Sequence, residues 1–296
     1  MSTDDQIYVS LGYRCSSAGI LKRLGLKTES YPFDWMVSRL PIIAHCVKTG
    51  FHYLVDPQNY TTQQTHTTHY HEGTHPAPMT ICRETVHVNH YYETAVPDIR
   101  NYICASIPQP LSVAGGDTYA NLCLMNHRNI RDTETQAYYH RCVERWNNLR
   151  RAVGKTAVGE TTVGETTVGE TTVGKTTVGK TTVVGLYIHP TLSESEYAEQ
   201  KDALIREFEE FRQTTVPHWT TVLFFLMVRT EHPYPITQYK PDFFQTLIDT
   251  PETIITTVYT NRDFIDAGEI FMQNAYIETD RMCSFITEKR NQSQPT

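Results

Sequence analysis

The sequence predicts an α/β protein. Its sheet is mostly parallel and flanked by helices, with a low-complexity five-residue repeat inserted before a C-terminal βαβ half. Three observations carry this prediction. Strand-length, β-branched apolar stretches recur at residues 7–9, 183–188, 220–228 and 253–259. Amphipathic helical patterns separate them, in the alternation that builds parallel sheets. Residues 220–228 are almost continuously apolar, as expected when helices cover both faces of a strand.

The first element is the strand Ile7-Tyr8-Val9, from which Gly12 allows a sharp exit. A helix opens at Ser16, with Ile20, Leu21 and Leu24 on its apolar side. Cys15 therefore stands at a strand-to-helix junction, on or just before the first helical turn. Free N–H groups and the positive end of the helix dipole stabilise an anion there. A thiolate at Cys15 gains from both and from neighbouring Arg14, which suits a nucleophile. The alternative is a small residue that packs the turn.

Tyr31 to Trp35 reads as a turn into a helix carrying Met36, Val37, Leu40, Ile43 and Val47, kinked or restarted by Pro41. Asp34 is placed to cap that helix. Residues 57–80 are polar, Thr-rich and loop-like, and contain His66, His69, His71 and His75. His71-Glu72-Gly73-Thr74-His75 spells H-E-x-x-H, but zinc chemistry needs that motif on a helix. Gly73 and Pro76 oppose one, so no metal site is expected. Residues 85–92 alternate as a strand with His87 and His90 on opposite faces. Residues 99–107 suggest another strand and Gly115-Gly116 a turn, before apolar residues 119–125 run into Asn126-His127.

A long helix follows, with a capping-box pattern at Thr133 and Gln136. Cys142, Trp146, Leu149 and Val153 form its core stripe. Arg141, Arg145, Arg150 and Arg151 lie off the stripe, as a solvated flank or an anion site. From Val153 the chain reads VGKTA, three copies of VGETT and two of VGKTT. A period of five fits neither helix nor strand, and one Val per unit does not offset the ordering entropy. This reads as a loop or arm at 153–182, with a projecting hairpin as the alternative. The same period spells G-x-x-x-x-G-K-T at 169–176 and 174–181. A phosphate loop must leave a buried strand and open a helix, and neither flanks the motif.

After the strand at 183–188, Ser193 and Glu196 make a capping box. The helix they start carries Tyr197, Leu204, Ile205, Phe208 and Phe211 on one face. Residues 240–248 suggest a short helix and 274–277 a last strand, and the tail after Thr287 looks frayed. The chain thus divides into 1–152, the repeat 153–182, the βαβ part 183–287 and a disordered tail 288–296.

A net charge of −7 argues against binding nucleic acid by phosphate neutralisation. No apolar run is long enough for a membrane span. The acidic, polar start of the chain does not read as a signal peptide. Seven cysteines without tight spacing fit free thiols in a reducing compartment, so the expected location is cytoplasmic. Nothing calls for a cofactor.

Four segments, SLGYRC at 10–15, YPFDW at 31–35, NHRNI at 126–130 and YYHRCVERW at 138–146, resemble a family described as putative papain-like cysteine peptidases. Its members occur in bacteria and large DNA viruses; for a viral member the compartment is host cytoplasm or virion. The resemblance implies Cys15 as nucleophile and His127 as base, acting on a peptide or small-molecule carbonyl. It implies Asp132 or Asp34 as the group orienting the imidazole, with Asn126 behind them and His87 and His90 as reserve bases. The R-C-x-x-R element implies a substrate-carboxylate or anion site at Arg141 and Arg145, beside Arg14. The βαβ half does not match papain architecture. That leaves two other readings: a nucleotide-sugar or anion-binding, glycosyltransferase-like domain, and a catalytically silent viral structural or interaction protein.

Overall fold

A computed structural model of the chain describes residues 6–12, 15–70, 79–94, 124–125, 128–158, 182–189, 192–229, 244–260 and 277–292. The strand β1 (Gln6–Gly12) enters α1 (Cys15–Arg23). Next come β2 (Met36–Val37), α2 (Leu40–Lys48) and the single turn α3 (His52–Val55). They are followed by β3 (Tyr60–Tyr70), β4 (Met79–Asn89), α4 (His90–Thr94), β5 (Leu124–Met125) and α5 (Thr133–Val158). The C-terminal half contains β6 (Thr182–Ile188), β7 (Leu192–Ser193), α6 (Glu194–Thr215) and β8 (Thr221–Arg229). It ends with β9 (Phe244–Asp249), β10 (Thr253–Thr260) and α7 (Ile277–Gln292).

These strands form two sheets. The larger runs β1-β6-β8-β10-β9, with β7 alongside β8. All its pairings are parallel except β9 with β10. The smaller, β2-β5-β4-β3, is antiparallel throughout. Alternation along the parallel strands divides the core into two. Tyr8, Leu186 and Phe225 meet Ile20 and Leu21 of α1 and Met282 and Ile286 of α7. Val9, Tyr187 and Phe224 meet the other face, with Ile43 of α2, Trp146 of α5 and Phe208 of α6. The α/β expectation therefore holds, as helices on both faces of a mostly parallel sheet.

Trp146 is the centre of the second core. Its ring lies 5.6 Å from Phe33, 5.7 Å from Phe51 and 5.2 Å from Trp219, centroid to centroid. Gly185 admits Trp219 to the sheet, since a Cβ there would come within 2.7 Å of the indole. The expected stripe Cys142, Trp146, Leu149 and Val153 is buried throughout. The Ser193–Glu196 capping box forms with both of its hydrogen bonds.

Several expectations are corrected. Met36 and Val37 belong to a strand, and α2 starts at Leu40 with Pro41 in its first turn, where a missing N–H costs nothing. Asp34 caps no helix. Residues 60–70 are not loop but strand, because Thr and Tyr suit an extended chain and β4 pairs with them along the whole length. His90 begins α4 and so does not share a strand with His87. Thr133 is already helical, with the Gln136 N–H bonded to the Asp132 carbonyl at 2.9 Å. That helix continues through the first repeat unit to Val158.

Residues 244–249 are a strand rather than a helix, and Ile277 starts a helix rather than ending a strand. That last helix runs to Gln292, into the stretch read as a frayed tail. The rest of the repeat with both P-loop matches, the H-E-x-x-H segment at 71–75 and the strand read at 99–107 lie outside the described residues. Among the described residues no helix is long and apolar enough to cross a membrane. Nor do three or more His, Cys, Asp or Glu side chains there converge as metal ligands.

Candidate active site

The corner between β1 and α1 gives Ser10 and Gly12 of SLGYRC definite roles. Ser10 and Ser17, both buried, share a hydrogen bond of 2.6 Å that ties strand to helix. Gly12 has φ +96°, a conformation costly for residues with a Cβ. Any Cβ there would also collide with the Ser38 hydroxyl. Ser38 in turn donates to the Leu11 carbonyl at 3.2 Å. Beyond this corner Cys15 is the first residue of α1, among backbone N–H groups that lack helical partners and favour a thiolate. Its side chain, like Arg14, lies outside the described residues.

Ser38 directly follows β2, and β2 leads to the histidine segment. Met36 pairs with Met125 and Val37 with Leu124, while Met125 faces His87 across the other edge of β5. Asn126 and His127 lie outside the described residues, but the chain is anchored again just after them. The Arg128 guanidinium sits 4.3 Å above the Tyr138 ring, and Ile130 is buried. The Asn129 side chain accepts the Arg131 N–H at 3.0 Å and donates to Asp132 at 3.3 Å. Arg131 donates to the Tyr60 carbonyl at 2.8 Å. Together these bonds turn the chain into α5.

His87 has its Nδ1 3.2 Å from the Thr62 hydroxyl. Burial lowers its pKa; the Asp132 carboxylate opposes that shift and Arg131 adds to it. His87 and Asp132 are thus electrostatic neighbours.

Asp34 is only 1% exposed and is ion-paired with Lys27. It also accepts the Tyr31 N–H at 3.0 Å. Burial pushes its pKa up, and Lys27 is the main opposing influence. Lys27 donates further to the Glu29 carbonyl at 2.7 Å and to the Ser30 hydroxyl at 3.4 Å. The YPFDW turn is therefore held by a buried ion pair at Asp34 and by Phe33 on Trp146. The thiol of the R-C-x-x-R element, Cys142, is buried beside this pair and raised to about 11 by desolvation. Arg145 lies 3.4 Å from Glu29 and donates to the Ser30 carbonyl at 3.4 Å, whereas Arg141 is exposed.

Sequence reading passed over Ser38, Lys27 and the Ser10–Ser17 pair. The one available signal was polar residues at positions that an apolar alternation would turn inward.

The described residues define a three-layer α/β scaffold with a cysteine opening the helix after its edge strand, next to an antiparallel sheet that leads into a histidine segment. The chain belongs to the family described as putative papain-like cysteine peptidase, whose model matches residues 6–158. A protein of Acanthamoeba polyphaga mimivirus, described as uncharacterized protein R408, is 46% identical over 50 residues. That match covers 17% of this chain and 22% of the viral protein. No solved structure matches the chain.

Proposed function

We propose that the protein is a thiol hydrolase of the papain-like peptidase type, with Cys15 as nucleophile and His127 as base. Family membership supports this. The observation that carries it is the Ser38 contact, which joins the Cys15 corner to the sheet running into His127. In this reaction the imidazole takes the Cys15 proton, and the thiolate attacks a peptide or small-molecule carbonyl. The N–H groups at the start of α1 stabilise the oxyanion. The C–N or C–O bond then breaks, with the proton passing from His127 to the leaving group, and water releases the acyl group from sulfur.

Asp34 already faces Lys27, so we assign the orienting role to Asp132. Arg145 is engaged by Glu29, which leaves Arg14 and Arg141 to attract an anionic substrate group. A cytoplasmic setting suits free thiols. A second reading, an anion or nucleotide-sugar site, draws on the C-terminal ends of the parallel strands β1, β6, β8 and β10, where open α/β sheets bind ligands.

Iodoacetamide labelling at pH 7, followed thiol by thiol by mass spectrometry, tests the proposal. Cys15 should react fastest of the seven cysteines. Cys46 and Cys142 should lag, since burial raises their thiols to about 12 and about 11. His127→Ala should abolish the advantage of Cys15, and His87→Ala should leave it. Uniform labelling, together with thermal stabilisation by nucleotide-sugars, would replace the hydrolase with the binding reading.

A further inference from the structure

Ser38 is completely buried, and a hydroxyl taken from water into a core is costly unless it finds a partner. Its partner is the Leu11 carbonyl, 27 residues back in the chain, at 3.2 Å. That carbonyl is available because β1 leaves its ladder at this point. Ser10 pairs with Leu186 and Gly12 with Tyr187, so Leu11 is an extra residue between two consecutive partners on β6. Such a bulge turns a strand aside and ends its pairing. Gly12 completes the arrangement, since any side chain there would occupy the position of the Ser38 hydroxyl. Bulge, glycine and serine together bring the end of β1 against the residue that follows β2.

We infer that Ser38 is a positioning residue for the Cys15 nucleophile. Its hydroxyl sets how closely the β1–α1 corner approaches the antiparallel sheet, and so how well the thiolate is stabilised. Ser38 directly follows β2, and only two residues separate Gly12 from Cys15. The Ser10–Ser17 hydrogen bond fastens β1 to α1, so a shift at this contact is passed on to the helix that Cys15 opens. A base and nucleophile need hydrogen-bond reach, and displacements of about 1 Å are costly. The inference rests on the Cys15–His127 reading above.

The test is the pH profile of Cys15 alkylation in the full chain, with thermal unfolding recorded alongside. Wild type should reach half its maximal rate below pH ~8.5, the range of an ordinary thiol. Ser38→Ala should move that midpoint upward and cut the rate at pH 6 about tenfold, the loss that accompanies a one-unit rise in thiol pKa, while unfolding stays cooperative. If Ser38→Ala does not fold, Ser38→Cys, close in size and a weaker donor, should show a smaller shift in the same direction. A wild-type midpoint in a folded variant overturns the positioning role alone, provided His127→Ala still shifts it. A wild-type Cys15 that already titrates as an ordinary thiol, unmoved by His127→Ala, overturns the nucleophile reading and this inference with it.

Discussion

At the scale of single residues, the Lys27–Asp34 pair has the most consequence for stability. Lys27 is 9% exposed and Asp34 1%, so both charges are largely withdrawn from water. A buried pair gains little over apolar residues of similar size, but removing one partner strands the other. Lys27→Met should therefore cost ~3–5 kcal/mol at pH 7, read from urea unfolding. The pH dependence follows from the direction of the Asp34 shift. Burial already holds its pKa above 3.8, and loss of Lys27 raises it further. The folded variant then binds a proton that the unfolded chain has released, so its stability falls as pH rises from 3.8 through the folded pKa. The deficit should accordingly be smaller at pH 4 than at pH 7. A deficit independent of pH would mean that Lys27 acts through its aliphatic stem.

Elements with dense apolar periodicity were legible in the sequence, and those defined by a distant partner were not. The buried stripe of α5 and the capping box of α6 needed only local pattern. By contrast, Phe244, Leu247 and Ile248 have helical spacing, yet these residues form a strand because β10 pairs with them across the tight turn at 250–252. Thr250 closes that turn by accepting the Thr253 N–H at 3.0 Å. The site divides the same way: Cys15 at a helix start was readable from Gly12 and the helix pattern, whereas Ser38 depends on a carbonyl in another sheet. The α2 helix yields a prediction of its own. His45 packs against Tyr53, Tyr91 and Tyr92, with ring centroids 5.6–5.9 Å away. Its Nδ1 is buried without a hydrogen-bond partner. Burial, with Lys48, lowers its pKa below 6.5. The unfolded chain therefore takes up this proton first, and the stability present above pH 6.5 is lost as pH falls through the folded pKa. Wild type should lose stability between pH 7 and pH 5, and His45→Phe should lose measurably less in parallel urea titrations. Identical pH slopes in the two proteins would place the acid sensitivity elsewhere.

For the molecule as a whole, the family match ends at residue 158, but the fold does not divide there. β1, which leads to Cys15, takes its strand partner β6 from residues 182–188. The ring of Trp219 closes on Trp146 at 5.2 Å. Gly185, from the same later half, sits where a Cβ would lie 3.1 Å from the Leu11 side chain. The matched region thus lends the candidate nucleophile and the histidine segment, while the later half supplies the sheet on which the nucleophile's strand is laid. Cut after residue 158, β1 would lose its ladder, and Val9, Leu11 and Trp146 would lose a wall of their core. The fragment 1–158 should show no cooperative thermal transition by circular dichroism and should bind ANS, as chains with unpacked apolar surface do. The full chain should melt cooperatively under the same conditions. Adding residues 159–296 in trans should restore both the transition and the selective labelling of Cys15, because the missing partner is a strand edge rather than a covalent connection. A fragment 1–158 that melts cooperatively and still labels first at Cys15 would show instead that the active unit is complete without the parallel sheet.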